Sequence, residues 1–558
     1  MPHNNIYANS TTSALLCASC KQVSAADLYD SAKLEKLNYE SVWSNNDNQV
    51  ETYLNVLEAS EQPINFYEYG SKISSASSLI EVIKRMMNES GNDAKKMSYE
   101  ITADITADFG GYVGKPIGSK LYPFSGVFKV ADGKKVTIKN LTIDCTDCEY
   151  GGLFGFVFGA DSFISGINLE NCTIKTNDAA YVGAFVGCVR QGFVENCKVG
   201  ETCTIDGGMV VGGFVGLCEG TITNCKTACS INFISQKSIS LGGFCGKNAG
   251  NISDSLSSAY IEVSSSKSMT AGGMVGINYG KLTNSIVSSL SANLASESDI
   301  YAGFLAGRNE GLMSKSASSN CSLKCVAAGT DRVGGLFGAD ASTAQTLQCA
   351  ASGGEIDGDN VAGFAGVLHG YVSECYSSSQ LTGKNTSGFA HLASGHLKNC
   401  YNKNVMYSKE TVSGMICDFA NGLKIQNCYV GSSIASFDGD TVHMMSGDFL
   451  YKNNRIWYQN SKLLYENNIV NEQTFSYEGA QIAAGDWNEW LHRYSRKYHS
   501  INSEILTATE VELFVNGLKY DTNIWSIDVG SSPKLKACEY NYETIDGTKL
   551  LISQTETE

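Results

Sequence analysis

Short apolar runs, each closed by glycine or by a polar turn, recur along the chain between residues 151 and 430. Runs this short and this often interrupted by glycine predict strands and exclude helices. Ten of them share a motif, in forms such as GGLFG, GGFVG, GGFCG, GGMVG and AGFAG, whose large apolar residues are Leu153, Phe185, Phe214, Phe244, Met274, Phe304, Leu336, Phe364, Phe389 and Met415. The nine intervals are 32, 29, 30, 30, 30, 32, 28, 25 and 26 residues. A near-constant period in this range is the signature of stacked supersecondary units. In the unit around Phe214, VGGFVG predicts one strand, CEG a turn, TITNCK a second strand and ACSINFIS a third.

Two more registers run through the repeats. The middle strand carries Cys172, Cys197, Cys225, Ser255, Ser285, Ser316, Cys349, Cys375, Cys400 and Cys428. A position that holds only Cys or Ser predicts an inward, space-limited site. The turn carries Gly192, Gly220, Gly250, Gly280, Gly311, Gly370, Gly395 and Gly422, often two residues after Asn, as in KNAG, INYG and RNEG. These glycines are expected to supply positive φ where the chain turns a corner.

Three strands per turn, stacked identical positions and a constant period predict an all-β parallel β-helix, a β-solenoid of about ten coils. At a strand spacing of about 4.8 Å, ten coils make a rod on the order of 50 Å. A β-propeller, the main rival, has longer blades with Trp-Asp signatures, and the repeats carry none. Residues 1–65 read as a helix-prone segment, with Leu28, Leu34, Leu37 and Val42 on one face. Residues 66–140 read as an N-terminal cap and lead-in coil. Here Ser78 and Glu81 have capping-box spacing, Leu79, Ile83 and Met86 form an apolar stripe, and Gly91 is placed to stop the helix. Repeats fill 141–431. Residues 432–558 lose the glycine period and hold every Trp except Trp43, which predicts an aromatic-rich C-terminal cap or accessory domain. Open solenoid ends are exposed strand edges, so the helix and this C-terminal part are the expected covers.

The repeats resemble the GLUG motif, a β-helical repeat of bacterial surface proteins, adhesin-like proteins and the N-terminal parts of some IgA-cleaving metallopeptidases. GGFVGLCEGTITNCKTACSI follows its order of paired glycines, turn glycine, Asn-Cys step and small-residue strand. CYSSSQLTG is similar to it, ISSASSLIEVIKRMMNESG and PIGSKLYPFSGVFKVADGKKVTIKNLTI resemble its approach, and NIWSIDVGSSPKLK its exit. The resemblance covers roughly residues 66–536 and implies a right-handed coil. It speaks for a fold, because this scaffold serves proteins of different roles.

A chain of 558 residues suggests several domains by length, but a repeat array forms one long body. A net charge of −16 without a dense Lys/Arg run gives no footprint for nucleic acid and no polybasic membrane anchor. No run of 18 apolar residues forms a membrane-spanning segment. The start, MPHNNIYANSTTSALLCASC, lacks the basic opening and apolar stretch of a secretory signal. That leaves a leader outside this numbering, another export route, or residence in the cytoplasm. Twenty cysteines without a disulfide framework suit a reducing cytoplasm or an anaerobic exterior.

Candidate chemistry is sparse. The His-Glu-x-x-His pattern of a zinc peptidase does not occur among His3, His369, His391, His396, His443, His492 and His499. His391 and His396 lie five apart across a turn and read as ordinary turn histidines rather than a metal pair. Of two Cys-x-x-Cys pairs, Cys17/Cys20 has the spacing of a metal or redox knuckle, and Cys145/Cys148 reads as a turn. Asp340 and Asp418 follow the anchor motif without forming a carboxylate row, and Glu170, Glu195 and Glu374 read as a solvated face. No catalytic, cofactor-binding or metal residue is assigned. The expected function is a non-enzymatic surface or structural protein at the cell surface or outside the cell, acting in adhesion, display or assembly. Its partners would be protein or glycan surfaces, with self-assembly open. The alternatives are an intracellular or appendage filament subunit and a carbohydrate-active β-helix enzyme.

Overall fold

The structure is a computed structural model that describes residues 71–430 almost continuously, with gaps at 89–92, 178, 421 and 427. It also describes most of 511–538 and short strands elsewhere. The helix-prone stretch 24–42, Gly91 and the Cys17/Cys20 pair lie outside the described residues.

The chain is a parallel β-solenoid of about twelve turns. One sheet stacks a strand from every coil, from Ser98–Ile101 and Val127–Val130 through Phe163–Ser165 to Lys424–Gln426. Its inward column, Ile164, Val194, Ile222, Ile252, Leu282, Met313, Thr346, Val372, Leu397 and Ile425, is buried throughout. We call it the middle sheet. A short sheet stacks the segment that follows each glycine pair, from Phe154–Val157 to Ile416–Phe419, and a wrapping sheet holds the remaining strands. The array starts earlier than the glycine motifs do. Ser98–Ile101 pairs with Val127–Val130, and Ile105–Asp108 pairs with Val136–Lys139. These first coils lack the motif, and they account for the difference from the ten coils expected.

Most coils have five strand segments rather than three, because both long predicted strands break at a corner; in the later coils some of these fuse, as in Ala350–Asp357 and Tyr376–Ser387. Around Phe214 the segments are Val210–Gly212, Val215–Cys218, Thr221–Thr223, Lys226–Thr227 and Ser230–Ser235. VGGFVG breaks at its glycine pair, where the coil folds back on itself. A Cβ on Gly212 would sit 2.0 Å from the Val215 carbonyl oxygen, and one on Gly216 would sit 2.6 Å from the Val182 amide nitrogen of the preceding coil. Neither position tolerates a side chain, so the glycines of the motif are there for close backbone approach. This re-entrant corner drives the anchors inward, and all ten are buried. The rings of Phe185, Phe214 and Phe244 stack at centroid spacings of 4.9 Å with interplanar angles of 10° and 6°.

TITNCK breaks at Asn224, whose φ is 50°. Residues at the same corner of other coils share the left-handed conformation: Asn140, Asn171, Asn196, Asp254, Asn284, Lys315, Gln348, Glu374 and Asn399 all have φ between 49° and 58°. Asparagine tolerates this region better than most residues. The turn glycines behave differently from expectation. Gly192 and Gly422 have positive φ, but the six between them do not. They are glycine because the coils touch there: a Cβ on Gly250 would lie 2.2 Å from the Gly220 carbonyl oxygen, and one on Gly280 would lie 2.1 Å from that of Gly250.

Helix α1, Ala76–Met87, closes the N-terminal end. Its N-cap is Ser75, whose hydroxyl accepts the Ser78 amide at 3.3 Å, so Ser78 stands inside the first turn and is not the cap. The helix stops at Asn88, whose amide donates to the Arg85 carbonyl at 3.2 Å. Leu79, Ile83, Met86 and Met87 are buried in the solenoid core, as the apolar stripe predicts. In the described portion of the C-terminal part, Phe514, Tyr520, Trp525 and Leu535 pack against Ala317, Ala350, Tyr376 and Tyr401 on the outside of the wrapping sheet. That portion is a strap along the flank, not a cover over the end.

Candidate functional site

The most repeated polar chemistry in the molecule lies at the corner after the middle sheet. Each ladder residue from Cys172 to Cys400 follows a left-handed residue, and its side chain donates back to the carbonyl two positions earlier. Cys197 does so to Glu195 at 3.2 Å, Cys225 to Thr223 at 3.3 Å, Ser255 to Ser253 at 2.7 Å, Ser285 to Thr283 at 2.9 Å and Cys400 to Lys398 at 3.1 Å. The same side chain accepts the backbone amide of the ladder residue one coil earlier: Cys225 N–H donates to Ser255 at 3.2 Å, Ser255 N–H to Ser285 at 3.3 Å and Cys349 N–H to Cys375 at 3.3 Å. At this sharp corner the ladder amide has no backbone acceptor, and a small side chain with one donor and one acceptor site supplies one, while adding a second donor to a carbonyl that already accepts a backbone amide of the coil before, as the Ser253 carbonyl accepts Asn224 N–H at 3.2 Å. Space limitation explains why the residue is small, and hydrogen bonding explains why it is Cys or Ser rather than Ala.

Outside this ladder the left-handed residues form a second one. Asn140 donates to Asp108 at 2.7 Å, Asn171 to Asn140 at 2.6 Å and Asn224 to Asn196 at 2.6 Å; Asn284 donates to Asp254 and Asn399 to Glu374. A third ladder, fully buried, joins Asn248 to Asn278 at 2.8 Å and Asn278 to Asn309 at 2.9 Å. These are the asparagines of KNAG, INYG and RNEG. Polar residues that look available in the sequence are thus spent on holding coils together.

Asp340 takes the register position of Asn309 in the next coil. The turn after it, 341–344, is longer than the turn 310–311 after Asn309, and in the next coil, where the turn is short again, its carboxylate accepts the His369 amide at 2.5 Å and the Gly370 amide at 3.0 Å. Burial outweighs these bonds and lifts its carboxyl to about 7. Asp331 plays the same part where the period drops from 32 to 28 residues, accepting the amides of Asp359 at 2.5 Å and Asn360 at 2.7 Å. Both are structural caps for backbone left over where a coil shortens. The same step leaves an outer cavity of about 200 Å³ lined by Lys324, Val326, Asp357, Asp359, Lys384 and Lys409, in which Lys384 pairs with Asp359 at 2.8 Å.

The remaining candidates separate. His391 lies on the short sheet at the register that Gly366 holds one coil earlier, while His396 lies on the middle sheet with its ring 5.0 Å from that of Tyr371. Burial and the nearby Arg332 charge lower the His391 imidazole to about 4, which keeps it neutral. Cys145 and Cys148 are free thiols joined by a turn, Cys148 N–H to Cys145 O at 3.1 Å. Burial pushes Cys145 up to about 12 and raises Cys148, which makes both poor nucleophiles. Glu374 is half-buried rather than solvated, and its carboxylate accepts from the Trp525 indole and from Asn399. Among the described residues, no three His, Cys, Asp or Glu side chains are placed to hold a metal ion, and no helix is long and apolar enough to cross a membrane.

The strap shows what the outer wall can hold. Trp525 packs at 5.6 Å from Tyr401 and 6.3 Å from Tyr376, whose rings stack at 5.1 Å, and the Tyr401 hydroxyl donates to the Pro533 carbonyl. Aromatic side chains elsewhere on the outer surface stay open to solvent, among them Phe158, Phe193, Tyr260 and Tyr279. Fold and walls together define a parallel β-solenoid with outer faces able to take a folded peptide. No protein family, curated protein or solved structure matches the chain.

Proposed function

We propose that this chain is a non-enzymatic solenoid scaffold used for adhesion, display or assembly, at a cell surface or outside the cell. The observation that carries the reading is where its polar side chains go. The recurring Cys, Ser and Asn, with Asp331 and Asp340, are tied up in backbone capping between coils. What the walls offer is open aromatic and polar side chains on a rigid body. Such a surface binds by many weak contacts spread along a face, as repeat proteins do. Resemblance of the repeats to the GLUG motif supports the same reading. The test is a binding screen of the purified full chain against glycan and extracellular-matrix protein arrays, run beside a polysaccharide-cleavage assay. Binding without cleavage is expected; turnover of a polysaccharide would replace the scaffold reading with an enzymatic one.

A further inference from the structure

One outward row of the wrapping sheet is covered beyond the reach of the strap's described part. Strand pairing aligns Lys198, Lys226, Leu256, Ile286, Ala317, Ala350, Tyr376 and Tyr401. Each follows an inward ladder residue directly, so each points outward. The strap covers the last four. Leu256 and Ile286 nevertheless expose only 3% and 0% of their surface, although neither belongs to the solenoid core cluster or to the strap cluster. Burial also lowers the Lys226 ammonium, with Lys198 adding repulsion.

The course of the strap says what lies there. Tyr520 and Trp525 sit at Tyr401, and the Cys538 thiol lies 3.5 Å from the Gln348 carbonyl and 4.0 Å from that of Ser316. The strap therefore runs from later coils toward earlier ones, and the next two coils in that direction are those of Ile286 and Leu256. The next chain is a hairpin of Tyr540–Ile545 paired antiparallel with Thr548–Gln554, and the sequence between them is Asp546-Gly547. A two-stranded hairpin is marginal in water by itself and needs an apolar surface to pack on. It carries Tyr540, Tyr542, Ile545, Leu550, Leu551 and Ile552. A six-residue strand reaches about 20 Å, the height of about four coils at 4.8 Å each. That matches the rows of Ile286, Leu256, Lys226 and Lys198. Residues 539–558 hold five acidic side chains against one lysine, complementary to the two lysines at the end of the row.

We propose that the hairpin Tyr540–Ile545/Thr548–Gln554 docks on Leu256 and Ile286 of its own chain, extending the strap along the solenoid with its acidic residues toward Lys226 and Lys198. The test is hydrogen exchange with mass spectrometry on the full chain and on Ile286→Lys, whose outward side chain leaves the core intact. In the unsubstituted protein the hairpin amides are protected. In Ile286→Lys they exchange on the order of tenfold faster or more, and trypsin gains access to Lys549, while amides of Asn251–Ser253 and Lys281–Thr283 keep their protection. A second variant, Leu550→Asp with Leu551→Asp, should release the hairpin without touching the solenoid. Hairpin amides that exchange freely in the unsubstituted chain, or that ignore both variants, would overturn the proposal. Protection that vanishes on dilution, with a dimeric mass, would put a second copy's hairpin on the row and overturn the intramolecular assignment.

Discussion

Ser255 shows at the scale of one residue what the repeat selects for. Its hydroxyl donates to the Ser253 carbonyl and accepts the Cys225 amide, so Ser255→Ala takes the acceptor from a buried amide and one of two donors from the Ser253 carbonyl, which keeps the Asn224 amide at 3.2 Å. We expect a loss of about 1–3 kcal/mol, against less than about 1 kcal/mol for Ser255→Cys, measured by denaturant unfolding. Equal losses would return the position to simple packing. The Cys225 thiol, pushed up by burial and free of a disulfide, should resist a bulky thiol reagent in the native protein and react on unfolding. Asp340 makes a prediction in pH. Its carboxyl is raised from 3.8 to about 7 in the folded state, so the unfolded chain releases a proton over this window that the folded chain keeps. Its contribution is therefore complete below 3.8 and is lost as the pH rises through about 7. Asp340→Asn should flatten that part of the stability profile in melts between pH 4 and pH 8; an unchanged slope would contradict the assignment. The Cys/Ser column was legible in the sequence as inward and small. Its hydrogen-bonding duty was not, because that depends on the left-handed residue before it, and a corner conformation held in turn by Asn, Asp, Lys, Gln and Glu leaves no single-residue signature.

Among the elements, each coil is defined by its two corners. The glycine motif was read correctly as the repeat's punctuation, yet only coordinates show that it folds the coil back on itself and that the turn glycines serve contact between coils rather than positive φ. A periodic pattern locates a corner but does not tell a conformational need for glycine from a steric one. One lead-in coil was legible within 66–140, but the further one before it was not, for a related reason: Ser98–Ile101 and Ile105–Asp108 stack in register with no glycine motif to announce them. Phe214 sits in the aromatic stack between Phe185 and Phe244. Phe214→Ala should cost about 3–5 kcal/mol through the cavity it leaves. Phe214→Asp should unfold several coils, because it buries an unpaired charge and each coil depends on its neighbours. Thermal unfolding unchanged in the Asp variant would contradict the inward assignment.

On the scale of the whole molecule, about twelve coils share one continuous core, closed at the N-terminal end by α1 and braced along the flank by the strap. The strap was legible in the sequence as an aromatic-rich C-terminal part whose NIWSIDVGSSPKLK resembles the exit of such arrays. Its course along the wall, with Trp525 on Glu374 and Tyr401, joins residues more than 120 positions apart and has no periodic trace. A rod with its recurring polar side chains used between coils and aromatic side chains left open outside is the form on which the proposed scaffold role rests. The most direct test of that account is electron microscopy of the purified full chain, with mass determined on the same sample. The account predicts straight rods whose stacked region measures about 55–60 Å, twelve coils at about 4.8 Å each, alone or joined into larger regular assemblies. Compact round particles of monomeric mass, with no long axis, would contradict it.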